Sequence, residues 1–324
     1  MKRVARFICA CGFLFAALAL VQVGRVTLVA QSPTARAMAL TFDDLPYVAL
    51  ESSDYVHDAD RVTTEILRVL RTHNAPAVAF VNEARLQVQG ETDARVAVLK
   101  RWADSGIVLG NHTYSHADLN ALTADQYEDE IIRGEVVTRR LMEPRNPYQL
   151  YFRHPFTHTG DTAEKKRAVE GFLAARGYKV APFTIENSDF IFARPYAKAR
   201  RSGDDTMKQR LSQAYLDFTV SETTFMETIA TQLFGHDIPQ TLLVHSNDIT
   251  ADNLDKMLTT FERRGYRFIT LAQAMADTAY RTQDVVTKAG PTWLWRWMKS
   301  KGMNLNFRDE PDPPAWVTDL DTKH

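Results

Sequence analysis

Short apolar runs alternate along this chain with longer stretches in which apolar residues recur every three or four positions. Ala37–Phe42, Ala77–Val81, Ile107–Leu109, Gln149–Phe152, Tyr178–Ile185, Thr241–Val244 and Arg267–Thr270 are the short runs. Their length and near-continuous apolar character suit strands buried on both faces. Between them, Asp60–His73 sets Val62, Ile66, Val69 and Leu70 on one helical stripe, and Asp93–Ser105 does the same with Val96, Leu99 and Trp102. Thr123 and Gln126 form a capping box for a helix expected to run to about Met142. Ala163–Arg176 and Asp252–Arg264 read as helices closed by Gly177 and Gly265. Strands separated by helices predict parallel βαβ units, and six to eight of them in one chain favour an α/β barrel over an open sheet.

Two stretches leave this rhythm. Phe190–Pro239 is long and mostly polar, with a helix expected from Asp205 to Leu233; it reads as an insertion between two strands, at about residues 190–239. The tail from Gly290 carries Trp293, Trp295 and Trp297, then a proline-rich acidic end. Trp293 and Trp297 stand one helical turn apart. A role in capping the protein body is favoured over stacking on sugar rings, because large aromatic side chains dominate cores.

The N-terminus changes the picture of where the protein works. Lys2, Arg3 and Arg6 precede the apolar run Phe7–Val23, and small residues lead to a cleavage position at Ala30. This is the layout of a secretory signal peptide. It is favoured over an uncleaved membrane anchor, since Gly12 and Gln22 interrupt a run already near the minimum for a span. The expected division is a signal peptide at 1–30, a catalytic body at 31–289 and a tail at 290–324, with a periplasmic or secreted location. Removing residues 1–30 takes away four of the 39 basic residues and none of the 40 acidic ones, leaving a net charge of −5. It also removes Cys9 and Cys11, the two cysteines, so the mature chain is expected to use neither disulfides nor thiolate chemistry. That charge shows no basic stripe for nucleic acid, and no feature demands a protein partner.

Chemistry-bearing residues gather where the predicted strands end, which is where loops of a parallel barrel converge on one site. The first strand ends in Thr41-Phe42-Asp43-Asp44, and the third runs into His112-Thr113-Tyr114-Ser115-His116. The fourth ends in Arg153-His154-Pro155-Phe156, the fifth region near Ser188-Asp189-Phe190, and a later one in His245. Each group has an ordinary reading taken alone: a turn, a surface arginine, a core histidine, a strand end. Two histidines four apart can face the same way on a helical turn and hold one metal. One aspartate with two histidines makes a three-ligand set that leaves open positions, as in catalytic zinc sites, and the second aspartate of the pair is then free to act as a base.

Together these groups resemble the five motifs of the polysaccharide deacetylase family, the NodB-homology domain of carbohydrate esterase family four. The matching series is Thr41-Phe42-Asp43-Asp44, His112-x-x-x-His116, Arg153-x-Pro155-Phe156, Asp189-Phe190 and Leu243-Val244-His245, in family order across roughly residues 37 to 275. The resemblance implies a distorted (β/α) barrel of seven strands and a divalent metal, zinc above others. It implies Asp44, His112 and His116 as metal ligands, Asp43 as general base and His245 as general acid. Arg153 would orient Asp43, Asp189 would pair with His245, and the backbone N–H of Phe156 would help hold the oxyanion. Phe156 and Phe190 stand where tyrosine and tryptophan are frequent in the family, and each keeps an aromatic wall. His154 replaces a more usual apolar or aromatic residue, with His158 close behind, which raises substrate contact or an extra ligand as a role for the pair. The implied function is removal of N-acetyl groups from an amino-sugar poly- or oligosaccharide. The rivals are an O-acetyl esterase acting on xylan-type polysaccharide and a non-catalytic sugar-binding module.

Overall fold

The computed structural model describes residues 36–322. The signal-peptide reading of residues 1–30 lies outside them. The first strand, β1 (Arg36–Leu45), is buried almost throughout and is followed by α1 (Tyr55–Thr72). Next come β2 (Ala77–Val81), α2 (Thr92–Asp104), β3 (Val108–Asn111), α3 (Ala124–Arg133) and α4 (Val136–Met142). They lead into β4 (Leu150–Phe152), α5 (Ala163–Ala175), β5 (Tyr178–Val180) and β6 (Ile185–Glu186). Two successive helices, α6 (Asp189–Ser202) and α7 (Asp205–Phe234), precede β7 (Gln240–His245). The chain closes with α8 (Asp248–Arg263), β8 (Tyr266–Phe268), α9 (Leu271–Ala274), α10 (Trp293–Ser300) and α11 (Ala315–Thr322).

All the strand pairings are parallel. The main path runs β5-β4-β3-β2-β1-β7-β6, with β8 also paired to β1. Seven strands thus curl into the expected distorted (β/α) barrel. Its end strands, β5 and β6, are neighbours in the chain, and among the described residues no pairing joins them. The stretch read as one strand, Tyr178–Ile185, is therefore two short strands flanking the barrel's open side.

Alternation along β1 decides what faces inward. Met38, Leu40 and Phe42 join the large cluster under the helices, while Ala37 and Ala39 pack with Val78, Phe80 and Tyr151 in the smaller cluster. Side chains two apart share a face, so Thr41 and Asp43 continue the row of Ala37 and Ala39. Outside the sheet, Trp102 is fully buried, sets its ring 5.4 Å from that of Phe42, and donates from Nε1 to Thr63 Oγ1 at 3.0 Å.

Two expectations need correction, while that for the tail tryptophans holds. The helix predicted from Thr123 to Met142 has its capping box but breaks at Gly134. A Cβ on Gly134 would lie 2.7 Å from the carbonyl carbon of Thr113, so glycine lets this break press against the His112–His116 turn. Phe190–Pro239 is helical in its first half as well: α6 buries Phe192, Ala193 and Tyr196, and Tyr196 donates to Asp252 Oδ2 on α8 at 3.0 Å. A proline at position 195, three arginines and a lysine hid that helix from the apolar pattern. In the tail, Trp293 and Trp297 are buried, the first 5.5 Å from Phe183 and the second 5.2 Å from Tyr280, whereas Trp295 is only partly covered. Among the described residues no helix is long and apolar enough to cross a membrane.

Truncating the helix-side core should be costly. Trp102→Ala removes a fully buried ring and orphans the Thr63 hydroxyl, and is expected to lower unfolding free energy by about 3–5 kcal/mol. Denaturant unfolding should show Ile132→Ala, on an exposed site, within about 0.5 kcal/mol of the parent.

Candidate active site

Asp44 sits where β1 turns out of the sheet, with φ 65°. Its Oδ1 lies 3.7 Å from His112 Nε2 and 3.5 Å from His116 Nε2. One ligand atom from each of the three residues falls within 4.8 Å of the others. Two zinc–ligand bonds of about 2 Å at a tetrahedral angle span about 3.3 Å, so these gaps are close to those that one shared ion would impose. Asp44 Oδ1 is buried with no hydrogen-bond partner among the described residues, so a ligand atom stands unspent in the middle of the set. His112 Nδ1 is 2.8 Å from the carbonyl of Arg153 and donates to it, which leaves Nε2 as the lone-pair nitrogen facing Asp44.

Electrostatics agree with a ligand role. Burial pushes His112 down to about 4; burial and then the charge of His112 do the same for His116, to about 4. Both rings are neutral at ordinary pH, as metal ligands must be. Burial would raise Asp44, but the guanidinium of Arg85 and the two imidazoles outweigh it and hold the carboxyl at about 2. Arg85 Nη2 stands 3.2 Å from Asp44 Oδ2. Nothing in the sequence pattern marks Arg85, which is at the site only because the turn after β2 brings it there.

The two flanks of this triad differ. On one side, Asp43 Oδ2 accepts from Arg153 Nη1 at 3.3 Å and lies 3.9 Å from His112 Nε2. Asp43 Oδ1 is buried without a hydrogen-bond partner among the described residues. Burial raises the Asp43 pKa against the pull of Arg153, which makes it a better proton acceptor than an exposed aspartate. On the other side, Asp189 is fully buried at the start of α6 and takes four hydrogen bonds. Its Oδ1 is 2.6 Å from His245 Nδ1, and its Oδ2 accepts from the His245 N–H, Asn247 Nδ2 and Thr250 Oγ1. Burial works against charge on His245, but Asp189 outweighs it, with Asp44 and Asp43 adding to the effect, and lifts the imidazole to about 10. Asn247 and Thr250 sit in the cap of α8, just past His245; the capping pattern was the available signal, though it gave no hint of contact with Asp189. Glu186, at the end of β6, is pushed up to about 7 by burial beside the same groups.

Backbone strain concentrates here. Asp44, Thr113, His116, Phe156, Thr157 and Ser188 all have φ between 50° and 65°. Such left-handed conformations cost roughly 1–3 kcal/mol each for residues other than glycine and persist where the surroundings over-determine them. The two histidines therefore meet through an irregular turn with φ 61° at both Thr113 and His116, not on a helical turn as their spacing suggested. Asn111 and Asn82 hold that turn: Asn111 Oδ1 accepts from Thr113 N, and Asn82 Nδ2 donates to the His112 carbonyl.

The third group of residues splits. Phe156 is exposed, its ring 4.6 Å from His116, and Phe190 is exposed 6.3 Å from His245, so both line the mouth of the site. His154 does neither of the things considered for it: it is buried behind the site with Nδ1 3.1 Å from the Tyr127 hydroxyl, and burial holds it at about 3. His158 pairs with Asp118 at 2.7 Å, and neither histidine belongs to the ligand group.

A sequence model described as polysaccharide deacetylase matches residues 30–174, a stretch that holds Asp43, Asp44, His112, His116 and Arg153. Over that stretch the chain is similar to the polysaccharide deacetylase family. A chitin deacetylase of Arthroderma benhamiae is 25% identical over 252 residues, covering 78% of this chain and 55% of that protein. A peptidoglycan-N-acetylglucosamine deacetylase of Bacillus cereus is 24% identical over 243 residues, covering 72% of this chain and 66% of that protein. The chain thus spans less than two thirds of the length of either relative. The solved chitin deacetylase of Colletotrichum lindemuthianum is 19% identical, covers 76% of this chain and 92% of its own, and superposes with a TM-score of 0.49.

The Asp189–His245 pair gives this protein a testable pH signature. In metal-free protein, Asp189→Asn should bring the His245 titration from about 10 down toward 6.5, read from its imidazole resonances by NMR. A folded-state pKa raised above the unfolded one adds stability that is fully present below about pH 6.5 and is lost as pH rises through about 10. The pH-dependent part of the variant's deficit in unfolding free energy should follow that window; equal titration midpoints would contradict it.

Proposed function

We propose that this chain is a metal-dependent hydrolase that removes N-acetyl groups from an amino-sugar polymer or oligomer of the chitin or peptidoglycan type. The observation that carries the reading is the placement of Asp44, His112 and His116 between a carboxylate suited to take a proton and an imidazolium suited to give one. The names of the relatives, chitin deacetylase and peptidoglycan-N-acetylglucosamine deacetylase, support the substrate class. The basic and apolar N-terminal run supports work in the periplasm or outside the cell.

Asp44, His112 and His116 would hold a divalent ion, zinc by donor type. When bound, that ion supplies Lewis acidity to the acetyl carbonyl and to the attacking water. Asp43 takes the proton of that water on its unpaired Oδ1, while Arg153 keeps the carboxylate in place through Oδ2. The N–H of Phe156 faces charge developing on the former carbonyl oxygen. His245, charged and held by Asp189, donates to the nitrogen as the carbon–nitrogen bond breaks. An amide needs this step, since without that proton the leaving group would be an amide anion, a very poor one, and an ester needs it far less. The strongly supported charge on His245 therefore favours amide over ester substrates.

Acetate release from N-acetylglucosamine oligomers, peptidoglycan and acetylated xylan tests this directly. The amide substrates should lead, and Asp43→Asn and His245→Ala should each lose about 10²–10⁴-fold in kcat while elemental analysis still finds metal. His112→Ala should lose metal and turnover together. Turnover retained in Asp43→Asn would defeat the assignment of the base.

A further inference from the structure

The C-terminal segment Asp284–Trp297 reaches into the active-site wall from behind, and what it grips is the strained pair Phe156–Thr157. Arg296 on α10 is fully buried. Its Nη2 donates to the carbonyl of Thr157 and, at 3.4 Å, to that of Ala289. Its Nη1 donates to Thr159 Oγ1 at 2.9 Å and to Asp284 Oδ1 at 3.1 Å, and its Nε to the carbonyl of Pro291 at 3.1 Å. Asp284 in turn accepts from Thr159 Oγ1 at 3.0 Å and from Lys166 Nζ at 2.6 Å, which joins the loop, α5 and the tail in one buried network. The Thr157 hydroxyl donates to the carbonyl of Gly290 at 2.6 Å and lies 2.7 Å from that of Phe156. Contact at Gly290 is so close that a Cβ there would fall 2.0 Å from the Phe156 carbonyl oxygen. Beyond, the tail is anchored by Trp293 N donating to the Phe183 carbonyl at 3.0 Å.

Phe156 and Thr157 have φ 53° and 52°, a conformation that successive side-chain-bearing residues do not hold by themselves. The tail donates to the Thr157 carbonyl, accepts from the Thr157 hydroxyl, and at Gly290 presses against the Phe156 carbonyl. On the other side of the turn, the Phe156 ring packs against His116 and its N–H is the donor proposed above.

We infer that the segment Asp284–Trp297 is a positioning element of the active site, with Arg296 as the positioning residue that fixes the Phe156–Thr157 turn against His116 and the reacting carbonyl. The inference rests on the deacetylase reading for its kinetic consequence, though not for the clamp itself. A donor that acts only in the transition state changes kcat and leaves KM alone when it is misplaced.

The test uses the full chain with Arg296→Met, Arg296→Lys and the milder Thr157→Val, which keeps the β-branched shape and removes only the hydroxyl. Three quantities are read for each: hydrogen exchange of the backbone over residues 154–160, kcat and KM for acetate release, and zinc content. Faster exchange is expected over 154–160 in Arg296→Met and Thr157→Val. In Arg296→Met, kcat should fall about ten- to a hundredfold with KM within about twofold and zinc retained, and Arg296→Lys should recover part of it. Thr157→Val should give a smaller fall of the same kind, which keeps the test alive if Arg296→Met does not fold. Faster exchange with unchanged kcat would leave the clamp purely structural and overturn the positioning role. Unchanged exchange would overturn the clamp. Parent protein that releases no acetate would sink the deacetylase reading by itself, and the exchange result would still decide whether the tail holds the turn.

Discussion

A guanidinium sealed from water in the middle of the barrel sets the terms for everything around it. Arg153 has no exposed surface, and burying its charge costs several kcal/mol unless partners are fixed in place. Those partners are Asp43 and the Thr41 hydroxyl, both on the inward row of β1, and the faces of Phe80 and Phe183 at 4.7 and 5.4 Å. The arginine thereby ties β4 to β1 across the barrel. Its backbone works as well: the Arg153 N–H donates to Asn111 at the end of β3, and its carbonyl takes the Nδ1 hydrogen of His112. One residue therefore fixes the carboxylate proposed as base and the tautomer of a proposed metal ligand.

Around that anchor the barrel supplies rigidity and the loops supply strain. The strand ends turn sharply at Asp44, Thr113, His116, Phe156 and Ser188, each with a left-handed backbone that unaided residues of these types rarely adopt. Amide side chains, hydroxyls and a tail arginine hold those turns, so the functional atoms converge at the strand ends. The charges are arranged in opposition. Arg85 keeps Asp44 ionised, burial keeps Asp43 basic, and Asp189 keeps His245 charged.

Much of this was legible in the sequence because strands and helices in a parallel barrel announce themselves by period, and because functional groups must stand at strand ends. The short apolar runs located the strands of the path, and the residues that follow them named the triad and both flanking pairs. Other features depend on contacts between distant segments and leave no local trace. Arg85 reaches Asp44 only through the turn after β2, and Asn247 and Thr250 read as an ordinary helix cap until α6 brings Asp189 against them. The spacing of His112 and His116 suggested a helical turn, yet their geometry comes from two left-handed residues and from the clearance at Gly134. His154 looked like a candidate for chemistry and is instead a buried partner of Tyr127. The tryptophans of the tail were readable as core, but not the buried arginine between them.

The account stands on one ion held by Asp44, His112 and His116. The most direct test is to strip the protein of metal, add zinc back in steps, and measure bound zinc and acetate release from an N-acetylglucosamine oligomer on the same samples. Turnover should be negligible in the stripped protein, rise in proportion to bound zinc, and level off at about one ion per chain. Full turnover without metal, or a rate that ignores occupancy of a filled site, would contradict it.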